Sequence, residues 1–439
     1  MPLSFIEVVL TTTYCLLFYY FIRRIRFFRT DAVASWLPGL VFVAKCVSGI
    51  LLGLLYTYYY TDHKDADSFK FFTDSKFIFD SLFTKPYDFI RMITGVDANA
   101  PELRAYYLKM DAWLNTNPIF NDNKTIIRLN AYFRFFSLGY YYVHVIFINV
   151  ISFFGLFCLY KAFGTYAPNK KKELFYLTFF LPSLMFWGSG LLKDGILIGG
   201  FGLCLYSLVL LDQKGFSWKR MLGFLAGFCT LIITKVYVIA IIFPGLIAWW
   251  ISRRLNAVKT ALVFLIIYAA YLSTGFSLYR FTDTNLQAEL FYKQKNFIEI
   301  AEEHAATSIE MPLIECSTKS IIEQSPHAFA NTMFRPAVFD ANGNPLILLA
   351  AIENLCILFL ILLCLISFSA RGRKTDGFVL LCLVFILLLF TLIGLITPVL
   401  GAIVRYKIIA LPCLMFLLVY YYDRDKIIRM FMPAVSQPT

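Results

Sequence analysis

Five short segments of the chain set ionisable side chains between strongly apolar runs, and each has residue types suited to work on a phosphate or a hydroxyl. HKDADSFKFF supplies His63, Asp65 and Asp67. A carboxylate at the edge of an apolar bundle can take the proton from an acceptor hydroxyl, although Asp-x-Asp is also what a solvated loop carries. FWGSGLLKDG supplies Lys193 and Asp194, with Gly188 and Gly190 permitting a broken helix. Broken helices with freed amides make anion sites; the plainer alternative is a Lys–Asp pair that closes a hairpin. TKVY places Lys235 between two short apolar runs, where it binds an anion or snorkels from a helix end. FRPAVFDANGNP supplies Arg335 and Asp340, and Glu353 follows two turns into the next apolar run. A glutamate at that depth needs a basic partner. TPVLGAIVRYKIIALP breaks its run at Pro398 and Gly401 and then presents Arg405 and Lys407.

The elements that must position these residues are membrane helices. Hydrophobic residues make up 59% of the 439 and charged residues 15%, with a mean hydropathy of +0.69. A soluble domain carries about 25% charge. The fold class expected is all-α, a polytopic membrane bundle of about eleven spans near 4–22, 37–60, 135–160, 174–190, 195–211, 221–234, 238–252, 260–276, 345–369, 377–396 and 408–422. The chain then divides into two N-terminal spans (1–60), a first outer loop (61–134), a six-span central bundle (135–276), a second outer loop (277–344), and three C-terminal spans with a tail (345–439). Helix-like stretches in the two loops, PELRAYYLKMDAWL and NLQAELFYKQKNFIEIAEEHA, read as amphipathic helices on the membrane surface or capping the bundle.

Charge sets the orientation. Basic clusters fall at Arg23–Arg29, Lys161–Lys172, Lys214–Arg220, Arg253–Lys259, Arg371–Lys374 and Arg424–Arg429. All lie on one side if the N-terminus starts outside, which leaves the C-terminus cytoplasmic. The net charge of +12 therefore follows the positive-inside pattern, and no nucleic-acid motif accompanies it. No basic residue precedes the first apolar stretch, so it reads as a retained span and not a cleaved signal. Nine of the ten cysteines sit inside apolar runs, Cys316 lies in a polar loop, and there is no CxxC. Neither a zinc site nor a disulfide framework is indicated.

On this map Lys193, Lys235, Arg335, Arg405 and Lys407 share the outer face, where cations are otherwise sparse. A cationic cluster at that depth suits a lipid-linked phosphate or pyrophosphate, with the anion at the interface and the chain in the bilayer.

The order of these segments resembles the GT-C type of polytopic glycosyltransferases and related bacterial membrane proteins of polysaccharide assembly. HKDADSFKFF stands where those proteins carry an essential Asp early in the first outer loop. LPSLMFWGSGLLKD resembles their Pro-Ser-x-x-Phe-Trp segment before a Lys-Asp turn, and GAIVRYKIIALP resembles their late Gly…Arg-Tyr-Lys segment before a proline-containing span. The extra N-terminal span and the missing Asp-Glu pair depart from the pattern, and the second departure leaves Asp65 and Asp67 as alternatives. The resemblance implies transfer from a polyprenyl-phosphate-linked sugar to a glycan or glycolipid acceptor at the outer face of a bacterial inner membrane. Asp65 or Asp67 would be the base. Lys193, Lys235, Arg335, Arg405 and Lys407 would hold the departing lipid phosphate, with His63, Asp194, Asp340 and Glu353 in support. Tyr58 to Tyr60 and Trp187 would line the sugar or lipid path. No cofactor is required; a divalent cation beside Asp65 is compatible with the chemistry. Two other readings fit the same cations: a polysaccharide polymerase or ligase using a lipid pyrophosphate, and a transporter or flippase for a lipid-linked solute. A subunit without chemistry is the fourth. The transporter reading expects inverted repeats and midplane charges; no repeat is found, and Glu353 is the midplane charge evident in the sequence.

Overall fold

The structure is a computed structural model that describes residues 4–59, 66–114, 122–253, 255–282, 285–304, 307–368 and 376–431. His63 and Asp65 lie outside the described residues. Among those residues the fold is all-helical, with one isolated antiparallel bridge between Ser308 and Val399. In chain order the helices are α1 (Phe5–Arg24), α2 (Leu37–Tyr58), α3 (Asp67–Thr84), α4 (Pro86–Thr94), α5 (Arg104–Tyr107), α6 (Asn123–Ser137), α7 (Tyr141–Tyr166), α8 (Lys171–Phe179), α9 (Pro182–Trp187), α10 (Lys193–Lys214) and α11 (Trp218–Thr234). They continue with α12 (Val236–Ser252), α13 (Ala257–Ser277), α14 (Leu286–His304), α15 (Thr318–Phe334), α16 (Pro345–Ile366), α17 (Gly377–Ile396), α18 (Leu400–Lys407), α19 (Leu411–Tyr421) and α20 (Arg424–Phe431).

Among the described residues seven helices are long and apolar enough to cross a membrane: α1, α2, α7, α10, α13, α16 and α17. An eighth is reached if α18 and α19, bent by 62°, count as one span. The shorter α11 and α12 have 17 residues each, and Pro244 interrupts the hydrogen-bond ladder of α12. The stretch expected as one span at 174–190 is two pieces, α8 and α9, separated just before Pro182. The span expected from 135 starts at 141, because Leu138 and Gly139 take left-handed conformations and end α6.

The chain forms two compact units, residues 1–165 with 184–236, and residues 166–183 with 237–439. In the first unit glycines set the helix spacing. A Cβ at Gly155 of α7 would strike the backbone of Ile198 and Gly199, and one at Gly202 of α10 would strike Gly155. A Cβ at Gly227 of α11 would lie 2.5 Å from the Cys204 amide. Small residues at these crossings let backbones pack against each other where no hydrophobic force separates helix from lipid.

The first loop is a packed layer. Leu103, Tyr107, Met110 and Trp113 of the PELRAYYLKMDAWL stretch are buried against α3, α4 and α6. That stretch is helical over 101–107, and its apolar face is folded inward, as the capping alternative expects and the membrane-surface alternative does not. Asp74 of α3 holds the layer: fully buried, it accepts from the Asp111 and Ala112 amides at 2.9 and 2.8 Å. Burial pushes its carboxyl above the ordinary value, against the backbone N–H groups of Ala112, Asp111 and Trp113 that pull it down. Ser137, His144 and Asn130 form a hydrogen-bonded chain of 2.6 and 2.7 Å across the α6–α7 corner. All three are 0% exposed, so this chain is a strap and not a nucleophile.

In the second unit, α14 forms over the expected NLQAEL stretch, and α15 adds a further helix that lies along α17. Thr332 donates to the Phe390 carbonyl at 2.8 Å, and a Cβ at Gly394 would strike the Ala328 carbonyl. Lys170 donates to the Val419 and Tyr422 carbonyls at the end of α19, where a cation offsets the helix dipole.

Replacing Asp74 with Ala strands the buried Ala112 N–H, at about 1–3 kcal/mol, and the part-buried Asp111 N–H at less. Hydrogen exchange at the Asp111 and Ala112 amides should accelerate about tenfold or more, while amides in α7 keep their protection.

Candidate functional site

Four helix ends meet in the first unit. They are the starts of α3, α6 and α10 and the end of α11. Lys193 opens α10 and donates to Asp122 Oδ1 and Asn123 Oδ1, both at 2.8 Å, at the start of α6. Its ammonium lies 5.6 Å from the Phe71 ring of α3, and Asp67 is close enough to act on its charge. Lys235, just past α11, pairs with Asp194 at 2.9 Å, the two side chains being 7% and 2% exposed. Thr125 of α6 donates to the Ile233 carbonyl of α11 at 2.6 Å. The structure thus gathers Asp67, Lys193, Asp194 and Lys235 from three separate stretches of the sequence.

The break before α10 is held by a residue that the sequence reading passed over. Lys45 lies inside the apolar run of α2 and is 0% exposed. It donates to the Gly188 carbonyl at 3.2 Å and to Ser189 Oγ at 2.9 Å. Asn149 of α7 donates to the Ser189 carbonyl at 2.8 Å. Lys45 and Asn149 therefore supply the partners that the unwound segment lacks, as a break among apolar helices requires. Lys45 also joins Glu353 as an ionisable side chain deep within a span.

Beside the four helix ends runs a groove of about 940 Å³. Lys124, Arg128 and Tyr132 of α6, at i, i+4 and i+8, line one wall. Ile196, Gly199, Gly200 and Leu203 of α10 line another, on the helical face that Lys193 begins. Ile151 and Phe154 of α7 and Thr230 and Ile233 of α11 complete an apolar trough. At Gly200 α10 and α11 approach closely, because a Cβ there would meet Thr230 Cγ2 at 2.7 Å.

The head of this groove is cationic. Lys124 and Arg128 both lie 5.3 Å from the Trp113 ring, and Arg128 donates to the Met92 carbonyl at 2.8 Å. Neither pairs with a carboxylate among the described residues. Burial pushes both side chains below their ordinary values, and the Arg128 charge pushes Lys124 down further. Two desolvated like charges without a counter-ion favour an anion between them. The signal in sequence was the basic i, i+4 pair in NKTIIRLNAYF, with no acid three or four residues away.

The second unit gathers Arg335, Asp340, Glu353 and Lys407. Lys407 donates to Asn354 Oδ1 at 2.9 Å and to the Arg335 carbonyl at 3.2 Å, and acts on the charge of Glu353. Glu353 accepts from the Ser183 amide and hydroxyl at 2.8 and 2.9 Å. Asp340 accepts from the Ala337 amide at 2.7 Å and sits 3.7 Å from Arg335. Arg405 is half-buried on α18. Lys407, Asp340 and Glu353 spend their polar atoms on fixing the FRP turn to α16, α18 and α9; Arg335, 36% exposed, keeps more open surface. Among the described residues no group of His, Cys, Asp and Glu has the makings of a metal site.

No protein-family profile, characterised protein or solved structure matches the chain in comparison.

Lys235→Met removes the ion-pair partner of the buried Asp194 carboxylate, at a cost of about 3–5 kcal/mol. The thermal midpoint in detergent should fall sharply. Lys235→Met with Asp194→Leu should recover most of the loss, whereas independent roles would make the two losses add.

Proposed function

We propose that the chain is a membrane glycosyltransferase that takes its sugar from a polyprenyl-phosphate donor. The observation that carries this reading is the groove with an unpaired cationic head and an apolar trough, the shape and polarity of a lipid phosphate. The resemblance of the motif order to GT-C enzymes supports it. In this reading the donor phosphate lies at Lys124 and Arg128, and its isoprenoid chain follows Gly199 and Gly200. Asp67 takes the acceptor hydroxyl proton as the acceptor oxygen bonds to the sugar C1. The C1–O bond to phosphate breaks, and the lipid phosphate leaves with its negative charge held by the cations. Lys193, engaged by Asp122 and Asn123, positions the starts of α6 and α10. The orientation that puts the basic loops inside places these helix ends on the outer face, with the N-terminus outside and the C-terminus cytoplasmic.

The test is release of polyprenyl phosphate from a panel of lipid-linked hexoses and pentoses by the full chain in nanodiscs. Asp67→Asn should lower turnover by about 10²–10⁴ with donor binding retained. Lys124→Ala with Arg128→Ala should weaken binding of polyprenyl phosphate and leave binding of the uncharged polyprenol unchanged. Because Lys124 loses its proton below the ordinary lysine range, affinity should fall as pH rises through its value, and Lys124→Arg should remove that fall. Full turnover by Asp67→Asn, or equal binding of phosphate and alcohol, contradicts the reading.

A further inference from the structure

At the opposite end of α1 the sequence FIRRIRFFRT concentrates arginines, and the fold shapes them into a pocket of about 470 Å³. Tyr19, Tyr20, Arg23, Arg24, Arg29 and Ser35 line it. Arg23 lies over the Tyr19 ring at 5.8 Å and Arg24 over the Tyr20 ring at 5.2 Å. Arg29 turns back and donates to the Arg24 carbonyl at 3.3 Å. The three arginines thus line one concavity, and none pairs with a carboxylate among the described residues. Asp31 is the nearest acid in sequence and is close enough to Tyr160 to act on it.

The pocket is held in shape from two sides. Phe27 and Phe28 pack on Phe157 and Phe153 of α7 at 5.7 and 5.5 Å, and Thr30 bonds the Tyr160 hydroxyl at 2.6 Å. Those contacts fix the segment that carries Arg29. Across the pocket, Gly39 of α2 admits the Tyr19 ring and the Arg23 stem. A Cβ there would lie 2.7 Å from Tyr19 Cε2 and 3.3 Å from Arg23 Cγ.

We propose that this pocket holds the phosphate of an anionic phospholipid. It lies where two spans, α1 and α2, end and begin, which puts it at headgroup depth. Guanidinium forks match phosphate oxygens in pairs, and the tyrosine rings beside them suit the glycerol and upper acyl region. Phosphate is the shared chemistry of a lipid headgroup and a free anion; the exposed apolar surface of α1 beside the pocket, including Leu16, Leu17 and Phe21, favours the lipid. The site is separate from the groove and stands whether or not the transferase reading holds.

Native mass spectrometry of the full chain in detergent tests it, with phosphatidylglycerol and phosphatidylethanolamine as probes. Phosphatidylglycerol should be retained preferentially, and Arg24→Ala with Arg29→Ala should weaken it at least tenfold. Gly39→Ala keeps every charge but displaces Tyr19 and Arg23, and should also weaken it. Lys171→Ala with Lys172→Ala, two exposed basic residues elsewhere, should not. An equal loss from both double variants would show diffuse attraction and overturn the site. Displacement of the lipid by excess inorganic phosphate would show a free-anion site and overturn the lipid assignment.

Discussion

The pair between Lys235 and Asp194 is the contact on which the candidate site depends. Both side chains are buried among apolar helices, where a lone charge is costly, so each fixes the other in place. The pair ties the end of α11 to the start of α10, and Lys193, the preceding residue of α10, reaches across to the start of α6. Once those three helix ends are set, the Lys124–Arg128–Tyr132 face of α6 has to line the groove. The glycines of α7, α10 and α11 set how closely those helices pack beside the groove. Lys45 performs the complementary task one layer away by satisfying the segment left unwound before α10.

The second unit applies the same rule with different parts. Glu353, Lys407 and Asn354 form a polar knot that anchors the FRP turn, each group answered by another within the unit. Such knots are expensive if half-made, which explains why so few charges sit among so many apolar residues. Lys124 and Arg128 at the groove head, and Arg23, Arg24 and Arg29 at the far end of α1, are instead clustered cations without a carboxylate partner among the described residues.

Much of this was legible in sequence. Apolar runs marked the helices, because nothing else in the chain could be solvated in a bilayer, and the polar residues between them marked the helix ends. The broken helix at Gly188 and Gly190 was readable from its glycines, and the need of Glu353 for a basic partner followed from its depth. What could not be read was pairing. Nothing in TKVY says that Lys235 faces Asp194 and not an anion, and nothing in the second unit's cations says which spend their donors on backbone carbonyls. Lys45 was passed over because one lysine in a 22-residue apolar run does not disturb its periodicity. Lys124 and Arg128 were passed over because they precede a span and read as loop. The PELRAYYLKMDAWL stretch left open whether its apolar face meets a membrane or the protein, because an apolar face does not name its partner; it packs on α3 and α6.

The central claim is that a lipid phosphate occupies the groove of the first unit. An experimental structure of the full chain in nanodiscs with added polyprenyl phosphate tests it most directly. The account predicts the phosphate within hydrogen-bonding reach of Lys124 and Arg128, with the isoprenoid chain along Gly199 and Gly200. A phosphate bound elsewhere, or a groove that stays empty while lipid is bound at another site, would contradict it.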